Sequence, residues 1–188
     1  MRRTFSHVVG IDDFPFERSH RGDVRIVGTV FAGSQLHGVV SSRVRRDGAN
    51  ATTRIAAMVY GSKFREHLQL VMLQGIAVAG FNVVDLARLE RETGLPVLVV
   101  ARRNPDLDAI RDALLTRVPG GKRKWALIQA AGPMRRAGEV WVQSAGLSAE
   151  ETSTILERFA INGVIPEPLR VAHLIAGGIA TGESTGRV

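Results

Sequence analysis

There is no cysteine anywhere in the chain. That excludes disulfide staples and thiolate metal ligands, and it fits a reducing, cytoplasmic setting. Aromatic residues are scarce at 5%, with one tyrosine and two tryptophans. Platforms that grip single strands by base stacking need more rings than that. No apolar run reaches the roughly 18–20 residues that span a bilayer. Met1-Arg2-Arg3-Thr4-Phe5 lacks the apolar core of a signal peptide, so no membrane partner is expected. Acid is the minority sign: 18 Asp and Glu stand against 25 Lys and Arg.

What is present is an ordinary globular balance, 45% hydrophobic and 23% charged over 188 residues. That suits one domain, 1–188, with a real core. The net charge of +7 is mostly arginine, gathered at Arg43/Arg45/Arg46, Arg102/Arg103, Lys122/Arg123/Lys124 and Arg135/Arg136. Arginine pairs bidentately with phosphate, so nucleic acid is the natural acidic partner.

Along the chain, His7-Val8-Val9-Gly10-Ile11 is an apolar strand cut off by Asp12-Asp13. Val24–Phe31 and Leu36–Val44 follow after short connections, which predicts antiparallel hairpins. Ile55, Met58, Val59 and Phe64 recur at helical spacing over 51–67, with Gly61-Ser62 a candidate interruption. Leu68–Gln74 and Pro96–Ala101 read as strands buried on both faces. A small-residue loop, 75–82, and a helix over 83–92 separate them. Asn104 is a candidate cap for a helix ending near Val118, and a second helix covers Lys122–Ala131. Residues 133–138 read as a basic loop and 139–143 as a short strand. Ser148-Ala149-Glu150-Glu151 matches a capping box. A last helix spans Leu169–Ala176, before a glycine-rich tail, 177–188, expected to be flexible.

Strands separated by helices should be parallel and joined by right-handed crossovers. The expected fold is therefore α/β: a ribonuclease H-like mixed sheet, three antiparallel strands then parallel ones, with helices on both faces. In that order the first strand lies centrally beside the fourth. Asp12 and Gln74 then meet at the sheet edge, where open α/β sheets place their sites.

Several strings carry a resemblance. Val9-Gly10-Ile11-Asp12-Asp13-Phe14-Pro15-Phe16, Ser62–Glu66, Ala79–Asp85, Glu92–Val97 and Ile165–Ile175 resemble motifs of the mainly archaeal endonuclease dU family. That family is similar to endonuclease V, a magnesium-dependent repair nuclease of ribonuclease H-like fold acting near deaminated bases. Gly10-Ile11-Asp12 matches its Gly-Val-Asp opening, and Pro166–His173 matches its closing Pro-Glu-Pro-x-Arg-x-Ala-His helix. The resemblance implies an endonuclease on DNA with deoxyuridine-type lesions, a DNA-repair hydrolase that uses Mg²⁺ or Mn²⁺.

Phosphodiester hydrolysis of this kind sets one or two Mg²⁺ on the scissile phosphate, held by carboxylates and water. The resemblance places Asp12 on metal and in catalysis, with His173 assisting and Arg102 on phosphate. Asp13 is a second metal candidate. Arg103, Lys122, Arg123 and Lys124 are the expected nucleic-acid contacts. The chain also departs from the endonuclease V pattern. The carboxylate that ends strand four there is Gln74 here, and the helix glutamate falls by spacing on Thr53. Asn82 and Asp85 are expected to line the same rim, where Asp85 could compensate. The Pro-Tyr-Ile-Pro wedge of endonuclease V has no counterpart. The alternative reading is a nucleic-acid-binding protein of this fold with impaired catalysis.

Overall fold

The computed structural model describes residues 3–184. One seven-stranded mixed sheet organises them, in the order β3-β2-β1-β4-β7-β9-β8. β1 (His7–Asp13) sits inside it, antiparallel to β2 (Asp23–Ala32) and parallel to β4 (Leu70–Gln74). β2 continues as a hairpin into β3 (Gln35–Arg45), the long outer strand. β4 runs parallel to β7 (Val97–Ala101). No helix among the described residues is long and apolar enough to cross a membrane.

Strand alternation sorts the core into two faces. Val9 and Ile11 point into a cluster with Ile55, Val71, Leu73, Leu89 and Val99. α1 (Ala51–Tyr60) and α2 (Leu86–Thr93) cover this side. Val8 points the other way, to Leu70, Met72, Leu98, Val100, Phe159 and Leu169. α5 (Ala149–Phe159) and α6 (Glu167–Thr181) cover that side. Gly10 shares the Val8 face and lies directly under α6; a Cβ there would sit 2.6 Å from both the Cβ and the carbonyl oxygen of Pro168. The buried Thr29 hydroxyl on β2 donates to that same carbonyl. α6 is therefore seated on β1 where the strand has no side chain.

The structure corrects several expectations. β9 (Val140–Ala145) is antiparallel to β7, not parallel. Between them come α3 (Leu107–Arg117), α4 (Gly121–Ala130) and a short strand, β8 (Arg135–Ala137), where a basic loop was expected. β8 runs in the β7 direction but at the outer edge, and the turn at Gly138 folds β9 back between the two. α1 stops at Tyr60, well short of residue 67, and Phe64 instead fills the space above Gly38 on β3. The 75–82 loop carries a two-stranded ribbon, β5 (Ala77–Val78) with β6 (Asn82–Val83). Asp106, not Asn104, caps α3 by accepting from the Ala109 N–H.

The Ser148–Glu151 capping box is formed on both sides. α6 runs five residues past Ala176, to Thr181, so 177–181 is helix and not tail. Its glycines serve packing: Ser184 folds back over Gly177 and Gly178, and its hydroxyl donates to the Leu174 carbonyl. The remainder of the expected tail, 185–188, lies outside the described residues.

Candidate active site

The two adjacent carboxylates leave β1 on opposite sides. Asp12 shares the Val8–Gly10 face, toward α6, and is 5% exposed. Its Oδ2 lies 2.9 Å from His173 Nδ1 on α6, and its Oδ1 accepts the Asp13 N–H at 2.9 Å. A carboxylate oxygen accepts, so Nδ1 carries the hydrogen and Nε2 is left for other partners. The hydrogen bond to Asp12 raises the His173 pKa above its ordinary 6.5, against the opposing effect of burial.

Asp13 turns the other way, and its Oδ2 accepts the Ala79 N–H from the loop after β4. Ala79 itself holds a left-handed φ of 50° in the turn between β5 and β6. Burial, then the charge of Asp12, push Asp13 up to about 6, and the Ala79 amide opposes them. A carboxyl whose pKa is raised on folding contributes stability in full below its unfolded value near 3.8. That contribution is lost as pH rises through about 6. In metal-free protein, Asp13→Asn is therefore expected to be more stable than the parent at pH 8, by about 1–3 kcal/mol. The gain should vanish below pH 4. Urea unfolding at both pH values checks this, and an equal difference at both would refute it.

Gln74 comes from β4. The register pairs Ile11 with Leu73, so the next step sets Gln74 beside Asp12. Alternation puts Gln74 on the same face as Leu70 and Met72, the Asp12 face. Its Oε1 is buried and accepts no hydrogen bond among the described residues. Asp12, Asp13, Gln74 and His173 line one open cavity of about 510 Å³, walled further by Phe14, Phe16 and Thr181. Among the described residues no three His, Asp or Glu side chains gather as a metal site. The oxygen donors present are two carboxylates and one amide. The orphaned Gln74 oxygen is a hard, neutral donor lacking a partner, and such a set fits a hydrated Mg²⁺ or Mn²⁺.

The other expected site residues lie elsewhere. Thr53 is exposed on α1, which covers the opposite face, and its hydroxyl accepts from Arg88 at 3.0 Å. Counting residues back from Gln74 gave its distance along the chain but not its side of the sheet. Asn82 is fully buried and structural. Its Oδ1 accepts the Ala51 N–H at the start of α1, and its Nδ2 donates to the Arg45 carbonyl and to Asn50. Asp85 caps α2 through the Arg88 N–H and lines a different cavity, with Lys124. Lys124 is 4% exposed and donates to the Asp47 carbonyl, so the expected surface contact is a buried ammonium. Arg102 and Arg103 are exposed just past the end of β7, beyond Gln74 on the same sheet edge. Lys122 and Arg123 are exposed at the start of α4. Glu167 and Arg170 form the ion pair their spacing suggests, with Nε to Oε2 at 2.8 Å. Sequence reasoning missed Ala79, which acts through a backbone amide that no residue type betrays.

The endonuclease dU family model matches residues 4–180. The chain belongs to the endonuclease dU family. A relative in Deinococcus radiodurans, a UPF0215 protein, is 60% identical over 182 residues, covering 97% of this chain and 93% of the relative. A crystal structure of a protein of unknown function from Archaeoglobus fulgidus superposes with a TM-score of 0.85 at 35% identity. It covers 92% of this chain and 97% of that one. A Ciona intestinalis endonuclease V, solved with a 24mer DNA containing an inosine, superposes with a TM-score of 0.55 at 12% identity. There 89% of this chain and 83% of that one are covered. At that identity the likeness is one of fold. This endonuclease dU chain thus has the ribonuclease H-like fold of endonuclease V, with Asp12 near the end of β1, an interior strand of its sheet.

Proposed function

We propose that this endonuclease dU protein is a metal-dependent endonuclease that cuts DNA near deaminated bases. One observation carries the reading: Asp12, hydrogen-bonded to His173, shares an open cavity at the strand edge with Asp13 and the orphaned oxygen of Gln74. The family description and the DNA bound to the Ciona neighbour support a nucleic-acid substrate. Asp12, Asp13 and Gln74 would hold Mg²⁺ or Mn²⁺. Such an ion lowers the pKa of bound water and offsets charge on the leaving oxygen. The chain's own contribution is proton handling. Asp12 fixes the His173 tautomer, leaving Nε2 to move a proton at the reacting phosphate. Arg102 and Arg103 supply positive charge along the same edge for the phosphate backbone.

An apolar cavity of about 280 Å³ opens beyond Gly75, walled by Ile76, Phe81, Leu107, Ile110 and Met134. A base swung out of a duplex needs a slot of this kind. The test is nicking of a uracil-containing duplex with Mg²⁺, with Mn²⁺ and with chelator. Tight binding without nicking under either metal would remove the nuclease reading. It would leave the second one, a DNA-binding protein with impaired catalysis, which the neutral Gln74 favours.

A single substitution sharpens the choice. Gln74→Asp adds a carboxylate on the Asp12 face and is expected to tighten Mn²⁺ binding about tenfold or more, read by calorimetry. Thr53→Glu should add nothing to it, because α1 lies across the sheet from Asp12. Equal gains from the two substitutions would contradict the face assignment.

A further inference from the structure

We propose that a second cavity, between α1, α2 and the start of α4, is a binding site for a nucleoside phosphate. The inference is independent of metal chemistry at Asp12. The cavity holds about 290 Å³, and its polar lining is Asp47, Thr52, Asp85, Arg88, Arg123 and Lys124. It is separated from the Asp12 cavity by a bonded partition. The Asp47 N–H donates to the Ala79 carbonyl, the Phe81 N–H donates to Asp47 Oδ1, and the Ala79 N–H is spent on Asp13.

Lys124 is the strongest pointer to a ligand. Its ammonium carries three donors, and one goes to the Asp47 carbonyl. The other two find no partner among the described residues, although the residue is 4% exposed. Burial lowers its pKa and nearby Asp47 opposes that. A buried cation with spare donors facing a cavity is satisfied by an anion.

The surroundings agree. Arg123, at the mouth, has no hydrogen bond or ion pair among the described residues. Arg88 is braced at the rim by Glu92 through Nε and by Thr53 through one amino group, which leaves the other free. The backbone N–H groups of Lys122 and Arg123, at the uncapped start of α4, also lack acceptors among the described residues. Gly121 cannot carry a Cβ, which would overlap the Leu114 carbonyl oxygen, so this helix start is held tightly against α3. These donors suit a phosphate.

The rest of the lining calls for more than a bare phosphate. Val83 and Leu127 offer an apolar wall. Asp85 keeps one carboxylate oxygen free, its other being engaged by the Arg88 N–H. A free acceptor beside an apolar wall suits a sugar hydroxyl or a base N–H. The phosphate-bearing nucleoside has two sources, a free nucleotide or a nucleotide within a strand.

Calorimetry on the full chain with thymidine monophosphate, thymidine, inorganic phosphate and a short single-stranded oligonucleotide tests the site. Thymidine monophosphate is expected to bind with a Kd below ~1 mM, and thymidine not to bind. Arg123→Ala, which removes an exposed and unpaired side chain, should weaken binding about tenfold. Lys124→Met should abolish it, with circular dichroism confirming the fold. Asp12→Asn should leave it unchanged, which separates this site from the nuclease reading. Binding of the oligonucleotide alone, weakened by Arg123→Ala, would assign the phosphate to a strand. Failure of both ligands, or binding indifferent to Arg123→Ala, overturns the site.

Discussion

Gly10→Ala is expected to destabilise the protein by about 3 kcal/mol, lowering Tm by roughly 6–12 °C. The added methyl group would meet the Pro168 carbonyl oxygen and Cβ at 2.6 Å, and the Pro168 carbonyl carbon closer still. None of these is the far end of a flexible side chain. Relief requires moving the first turn of α6 away from the sheet. That turn is held by the Thr29 hydroxyl on the Pro168 carbonyl and by Leu169 in the core, so moving it breaks a buried hydrogen bond as well. His173 travels with the helix, so its bond to Asp12 should loosen together with the packing. Thermal melting tests the first effect, and the His173 titration by NMR tests the second. An unchanged Tm would mean that α6 is not seated on Gly10.

Asp12→Asn is expected to cause the largest loss of activity, at least about 10²-fold in cleavage, with the fold preserved. It also has a signature that needs no substrate. In metal-free protein the His173 pKa should fall back toward 6.5, because its chief cause is the hydrogen bond to Asp12. The linked stability has a definite sign. A histidine raised on folding contributes stability in full below its unfolded value, and that contribution is lost as pH rises through the folded one. The stability deficit of Asp12→Asn should therefore be larger at pH 5 than at pH 9. An unmoved His173 titration in the variant would mean that the 2.9 Å contact is not the source of the shift.

The central part of this site was legible in the sequence. Period-two alternation fixes which face Asp12 takes, and the closing motif places His173 on the helix that crosses it. The run Leu68–Gln74 reads as a doubly buried strand, of which Leu70–Gln74 forms β4, and the strand order then brings Gln74 alongside. The remainder was hidden for physical reasons. Thr53 illustrates that a count along the chain carries no information about which side of a sheet a helix covers. Asn82 and Lys124 are polar types that look alike whether they bind ligand, satisfy buried carbonyls or face water. Burial decides among those roles, and burial depends on neighbours 77 positions away for Lys124 and Asp47. The direction of β9 turned on a three-residue strand, β8, whose Arg135-Arg136-Ala137 carries no apolar pattern to reveal it.

The trans cap at α1 bears on how the chain is made. Asn50 stands at the start of that helix but offers it no side-chain hydrogen bond, and the acceptor comes from Asn82 instead. On a ribosome adding about 5–20 residues per second, the 31 positions between Ala51 and Asn82 correspond to roughly 2–6 s. For that interval the nascent helix has its sequence but not the group that closes its first turn. The corner joining β3 to α1 is thus completed only once the ribbon strand β6 has been translated.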